Sequence, residues 1–180
     1  MTLIVETGFG TADSEAFASA AQATDYHTKR GNAAWLALTT DQQENALRAA
    51  TDYMEQVYRL RWSGSRASDT QALSWPRYQV PRIDRGTTAL FAFGYGSGYS
   101  FYPSASVPKE VVNACCVLAL KASANELAPD LDRPTTTEMV GPIRVDYAPG
   151  TREFVRFRAV DLMLAPLLKT GGMGLKVTRA

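Results

Sequence analysis

The stretch VPKEVVNACCVLALKASANELAP (Val107–Pro129) decides the fold of this chain. Pro108 suits the first turn of a helix, Glu110 complements the dipole there, and Pro129 marks the stop. Between Val111 and Ala122 the strongly polar residues are Asn113 and Lys121 alone. A helix apolar on nearly every side belongs at the centre of a bundle, so its neighbours must supply amphipathic helices to cover it. Cys115 and Cys116 sit in this apolar run. Adjacent cysteines rarely close a relaxed disulfide, and their spacing matches neither a redox CxxC motif nor a zinc half-site, so they read as buried structural thiols.

The covering helices are upstream. Ser19 with Gln22 forms a capping box for a helix that runs to about Arg30 and stops at Gly31. Thr40 with Gln43 repeats the pattern and predicts a helix from Asp41 to about Tyr58. On it Ala46, Ala50, Tyr53 and Val57 recur at helical spacing beside Leu47, Met54 and Tyr58. Gln43, Glu44, Arg48, Asp52, Glu55 and Arg59 take the other face.

Downstream the pattern changes. In TEMVGPIRVDYAPG, Met139, Ile143, Val145 and Tyr147 alternate with polar residues, which predicts one or two short strands, with Pro142 at an edge or bulge. Residues Ala159–Lys169 read as a short helix kinked at Pro166, followed by a glycine-hinged tail, TGGMGLKVTRA, that ends basic through Lys176 and Arg179. Such a tail can lie along a neighbour as an added strand.

The expected fold is therefore mainly α: a small helical bundle with a short β-strand or hairpin element, an extended loop and a C-terminal arm. One domain is expected over residues 1–180. Its helical core covers about 14–130, the β element about 137–148, and the helix and arm about 159–180. An aromatic insertion, TTALFAFGYGSGYSFYPSASV, occupies about 87–107. It carries Phe91, Phe93, Tyr95, Tyr99, Phe101 and Tyr102 among glycines and serines and holds no charged residue.

Composition narrows the function classes. Nineteen basic residues against eighteen acidic leave a net charge of +1, which argues against a chain whose main work is gripping phosphates. No apolar run approaches the ~20 residues that span a bilayer, and the start lacks the basic flank of a signal peptide, so an intracellular, membrane-free protein is expected. The single histidine, His27, has no serine or cysteine motif beside it and reads as a helix-surface residue. GxSxG is absent, the one His and two adjacent Cys offer no metal-ligand spacing, and Glu126, Asp130 and Asp132 read as a solvated acidic turn. Gly94, Gly96 and Gly98 are spaced GxGxG with no Lys-Ser/Thr following, which is not a phosphate loop. No catalytic residue, cofactor or metal is assigned, and the chain is not expected to be an enzyme. Base stacking on an aromatic contributes about 1–3 kcal/mol, but single-strand sites also need a cationic groove, and the insertion has none. Uncharged aromatics fit protein–protein contact better.

Several stretches, LIVETGFG, YHTKRGNAAW (Tyr26–Trp35), ALRAATDYMEQVY (Ala46–Tyr58), TQALSWPR (Thr70–Arg77), VPKEVVNACCVLAL, VGPIRVDYA (Val140–Ala148) and AVDLMLAPLL, occur in an order that resembles a family of tailed-phage proteins. Members are labelled DnaT-like single-stranded-DNA-binding proteins, and they resemble head-to-tail connector, adaptor or head-completion proteins. The aromatic insertion is longer than that pattern, and contacts made there do not carry over.

The resemblance implies a virion structural protein, made in the host cytoplasm and placed in the neck between capsid and tail. It would form a ring, a dodecamer matching the portal. Its partners would be itself, the portal protein, a tail-side or tail-terminator protein, and duplex DNA passing through without sequence-specific binding. The alternative is a single-stranded-DNA-binding accessory protein. A ring needs two different complementary faces on each subunit, and a DNA channel is hindered by strong cationic gripping. Within TQALSWPR, Leu73 and Trp75 are expected to pack on the bundle and Pro76 to fix the turn. Arg77 is expected to point to a carboxylate, internal or on the adjacent subunit. Candidate brace or interface residues are thus Trp75, Arg77, the six insertion aromatics, Lys176 and Arg179.

Overall fold

Side chains that close the first turns set where the helices begin. Ser19 Oγ accepts from Gln22 N at 3.1 Å while Gln22 Oε1 accepts from Ser19 N at 2.8 Å, so α1 opens there and covers Ala20–Thr28. The second capping box is Thr39 with Gln42, one residue earlier than the sequence pattern predicts, and α3 spans Thr40–Tyr58. Two threonines and two glutamines stand in series, so both registers satisfy the motif, and the first is the one formed, with Gln43 Nε2 donating to Trp35 O instead. Between these helices Gly31 takes φ +69°, and the chain forms one unforeseen turn of helix, α2, at Ala33–Leu36.

The computed structural model describes residues 2–82, 100–129, 137–140, 143–146 and 155–169. Among these the fold is mainly helical, as expected. α4, Lys109–Ala122, runs back along α3: Ala122 lies beside Gln42 and Ala46, and Cys115 beside Leu47 and Thr51. Val111, Ala114, Cys115, Cys116, Leu118 and Ala119 are buried, so the apolar helix does form the centre. Desolvation pushes the Cys115 thiol up to about 11 and Cys116 to about 12, consistent with inert structural thiols.

Two short antiparallel pairs complete the described elements. β1 (Ser65–Arg66) pairs with β2 (Arg77–Tyr78). β3 (Thr137–Val140) pairs with β4 (Ile143–Asp146), with Thr137 opposite Asp146 and Val140 opposite Ile143, so the predicted strand element is an antiparallel pair. α5, Arg158–Leu164, ends in one turn of 3₁₀ helix at Ala165–Leu167, where Pro166 cannot continue the α-helical ladder. The end of this element is sewn to the exit of α3. Ser63 N donates to Leu167 O at 2.9 Å, Lys169 N donates to Arg61 O at 2.7 Å, and Tyr58 Oη donates to Asp161 at 2.8 Å.

Two sequence expectations are corrected here. Val57, placed on the buried face of α3, is 37% exposed, because the apolar arc of that helix ends at Tyr53 and Tyr58 and its margin turns outward. His27, read as a surface residue, is 1% exposed. Its ring lies 4.9 Å from Trp35 and 5.2 Å from Tyr26, centroid to centroid. Nε2 donates to Cys116 O at 3.0 Å and Nδ1 accepts from Asn32 Nδ2 at 2.9 Å, so one neutral tautomer satisfies both nitrogens. Histidine here closes α1 onto the central helix, a role that sequence spacing does not signal.

Candidate functional site

The TQALSWPR turn is a loop carried inside the molecule, and a buried loop has to satisfy its own backbone groups. It does so with side chains. Gln71 Nε2 donates to Leu73 O at 2.7 Å and Pro76 O at 3.1 Å, while Gln71 Oε1 accepts from Ser68 N at 2.8 Å. Arg66 donates to the carbonyls of Gln71 and Leu73. From α3, Glu55 takes both donors of Ser74, the backbone N–H and the hydroxyl, each at 2.7 Å.

Arg77 does not reach a carboxylate. Nε donates to Ser63 O at 2.8 Å, one terminal nitrogen to Gly64 O at 2.8 Å, and the other to Ser74 O at 3.1 Å. The guanidinium fork matches three carbonyls that converge where β1 meets the turn, and this backbone demand outweighs any single acidic partner. Burial and the positive charge of Arg66, its cross-strand partner, lower the Arg77 pKa, and Glu55 opposes them. Gly64 sits at φ +68° with the position of an added Cβ only 2.1 Å from Tyr78 O, so glycine is required for that crossing.

Trp75 packs inside the molecule. It is fully buried and meets Trp62 edge to face at 5.7 Å, and Trp62 in turn lies 5.8 Å from Tyr58. The Trp75–Pro76 peptide is cis. Leu73 is buried as well. The two indole N–H groups of Trp62 and Trp75 are buried without a protein acceptor, which makes the cluster apolar in character rather than a polar network.

Against this turn lies a second ordered loop, in the LIVETGFG stretch, to which sequence spacing assigns no role of its own. The Glu6 carboxylate, buried, accepts from the backbone N–H groups of Gly8 at 2.8 Å, Gly10 at 3.0 Å and Thr11 at 3.1 Å, and from Ser14 Oγ at 3.1 Å. A Cβ on Gly10 would meet Gln71 at 3.4 Å and Pro76 at 3.7 Å, Ala72 N donates to Thr11 O at 3.0 Å, and a Cβ on Gly8 would stand 2.5 Å from Ala105 O. The loop is held on three sides, and Phe9 at its tip is 83% exposed. The signal that finds it is the ETGFGT string, in which an acidic residue precedes two glycines that frame an aromatic.

The base of the aromatic insertion docks beside the same turn. Arg82 N donates to Ser100 O at 2.7 Å and Tyr102 N to Val80 O at 2.9 Å. Phe101 is 47% exposed, whereas Tyr102 is half-buried with the Arg82 guanidinium 4.7 Å from its ring centre. Phe91, Phe93, Tyr95, Tyr99, Lys176 and Arg179 lie outside the described residues.

On the other side of α3 a cavity of about 310 Å³ opens between Tyr53, Val57, Leu127, Pro129 and Val155. Arg61 and Arg156 stand at it, and Asp161 lies between Tyr58 and Arg61, the latter at 3.9 Å. Burial raises the Tyr58 pKa further above its ordinary value, with the Asp161 carboxylate adding to the effect, so the phenol stays protonated as a donor. Among the described residues no group of three or more His, Cys, Asp or Glu side chains is placed to hold a metal ion, and no helix is long and apolar enough to cross a membrane. Chemically the assembled features offer a rigid brace, an outward aromatic and an apolar recess with a cationic rim.

No curated protein and no solved structure matches this chain. The match that does emerge is at the level of family and covers residues 1–180: the chain belongs to the family described as "Putative DnaT-like ssDNA binding protein".

Proposed function

We propose that the chain is a structural component of a virion neck, acting as a head-to-tail connector. Copies of it close into a ring, twelve-fold to match a portal, between the portal and tail-side proteins. The ring surrounds a channel that duplex DNA passes through. On this reading the chain transforms no substrate and works by polypeptide contact.

The observation that carries it is the direction of the polar groups around the turn and the N-terminal loop. Glu6, Glu55, Arg66 and Arg77 all face inward onto backbone or onto Ser14 and Ser74. Phe9 faces outward from a backbone they hold rigid. An outward aromatic on a pre-organised loop suits a protein interface, where such residues act as anchors and charge is depleted at the core. Negative-stain microscopy and mass photometry of the purified chain, alone and with portal protein, test the reading. Annular particles are expected. A strict monomer in the presence of portal that also holds oligo-dT tightly in moderate salt would overturn it.

One observation favours a second reading, single-stranded-DNA binding, which is what the family description names. Arg59, Arg61, Arg156, Arg158 and Lys169 are all exposed around the end of α3 and the start and end of the α5 segment. Such a rim is what a strand's phosphates would follow. Binding there would weaken steeply with salt, and Arg61→Ala with Arg156→Ala would reduce that slope. Salt-insensitive or negligible oligonucleotide binding removes this alternative.

A further inference from the structure

We infer that Phe9 is the knob of a subunit contact whose socket is the cavity at Tyr53, Val57 and Leu127 on a second copy of the chain. The inference rests on the ring reading above and specifies the interface that reading requires.

The first support is the way Phe9 is presented. A side chain 83% exposed is ordinarily free to move, but here the two flanking glycines are pinned. Gly8 adopts φ +110° against Ala105, Gly10 adopts φ +69° against Gln71 and Pro76, and both donate to the buried Glu6 carboxylate. The ordering cost of the loop is met within the subunit, so a partner gains the aromatic contact without having to fix the backbone.

The second support is shape and chemistry. The recess holds about 310 Å³, bounded by apolar side chains and two tyrosine rings, Tyr53 and Tyr58. A phenylalanine ring can enter such a space and leave room for its neighbours in the loop. Charge agrees with this pairing. Residues 2–18 contain no lysine or arginine; Glu6 is turned inward and Glu15 is paired with Arg48, which leaves Asp13 as the outward acidic group. Asp13 is exposed close to the tip. The socket rim presents Arg156 and Arg61, whose side chain is 52% exposed and lies 3.9 Å from Asp161, so cations outnumber the one carboxylate in the lining.

The third support is placement. The N-terminal segment and the turn attach to α3 through Arg48, Thr51 and Glu55. From α3 the socket takes Tyr53, Val57 and Tyr58. At 3.6 residues per turn the two sets point roughly 140° apart around the helix. Knob and socket therefore lie on opposite sides of one subunit. Such a pair cannot be satisfied by two copies alone, since each contact leaves one knob and one socket free. That is the head-to-tail arrangement that closes into a ring or continues as a filament.

The test uses the full chain and two complementary variants, Phe9→Asp without the knob and Val57→Asp without the socket. Arg61→Glu is a second socket variant in case Val57→Asp fails to fold. Circular dichroism and melting check that each remains native. Parent protein should assemble, and each variant should associate at least about 30-fold more weakly, the size expected for an interface anchor. Mixing Phe9→Asp with a socket variant should give one-to-one heterodimers and nothing larger, because only one intact knob meets one intact socket. Parent and Phe9→Asp assembling equally would overturn the knob and leave the ring reading standing. Two monomeric variants that fail to pair on mixing would also overturn it. A parent chain that never assembles, with or without portal, overturns both readings.

Discussion

Replacing Arg77 tests whether the TQALSWPR turn is a brace. Arg77→Met keeps much of the aliphatic stem and removes all three donors to Ser63 O, Gly64 O and Ser74 O. Gly64 is exposed, so its carbonyl can turn to water, but Ser63 and Ser74 are buried. Each buried carbonyl left unpaired costs about 1–3 kcal/mol, giving about 2–6 kcal/mol for the pair. Removing the guanidinium also removes its own desolvation penalty and its repulsion with Arg66, the causes that lower its pKa, so the lower half of that range is expected, about 2–4 kcal/mol. At a domain of this size that corresponds to a fall in melting temperature of roughly 4–16 °C. Arg77→Lys retains a charge but offers a compact point donor in place of a planar fork, so it should recover only part of the loss. Urea unfolding at a fixed protein concentration, with thermal melts beside it, reads both variants. Stability within about 0.5 kcal/mol of the parent for Arg77→Met, the range of ordinary surface changes, would refute the view that this turn is held by its carbonyl acceptors.

Trp75→Ala should destabilise the chain by about 3–5 kcal/mol, as other large-to-small core changes do. Trp75→Phe keeps a ring against Trp62 and removes a buried N–H without an acceptor, so its loss in the same unfolding assay should be well below half as large. His27 has a pKa lowered from 6.5, chiefly by burial with the Arg30 charge adding to it, while its bond to Cys116 O opposes the shift. The unfolded chain therefore binds the proton more readily. This contribution is complete above about pH 6.5 and is lost as pH falls below it, with a slope of at most about 1.4 kcal/mol per pH unit; a stability–pH profile of His27→Gln should be flatter there. Gly64→Ala should be strongly destabilising, since its Cβ would meet Tyr78 O at 2.1 Å in a left-handed conformation, and a melting temperature equal to the parent's would contradict that geometry.

Periodicity and caps made much of the fold legible. The run from Val111 to Ala122 has so few polar residues that it could only sit at a centre, and it does. Ser19–Gln22 and the Pro166 break carry local chemistry that acts within one helical turn, so sequence spacing reports them directly. The cap of α3 shows the limit of such motifs: Thr39–Gln42 and Thr40–Gln43 are equivalent on paper, and in the fold Gln43 donates to Trp35 O while Gln42 makes the cap.

The site was less legible because its interactions span long sequence distances. Trp75 could be read as a brace from its apolar surroundings. What Arg77 touches depended on three carbonyls from two segments that converge only after β1 and β2 pair. His27 looked like a surface residue because its acceptor, Cys116 O, is eighty-nine positions away. The ETGFGT string marks a glycine-framed turn, but that Glu6 faces inward to organise it and Phe9 outward depends on contacts with Gln71, Pro76 and Ala105 far along the chain. Local rules determined which segments became helices and where they stop. Burial of unpaired backbone groups, which exists only once the chain has folded on itself, decided which charges turned inward and which aromatic was left outside.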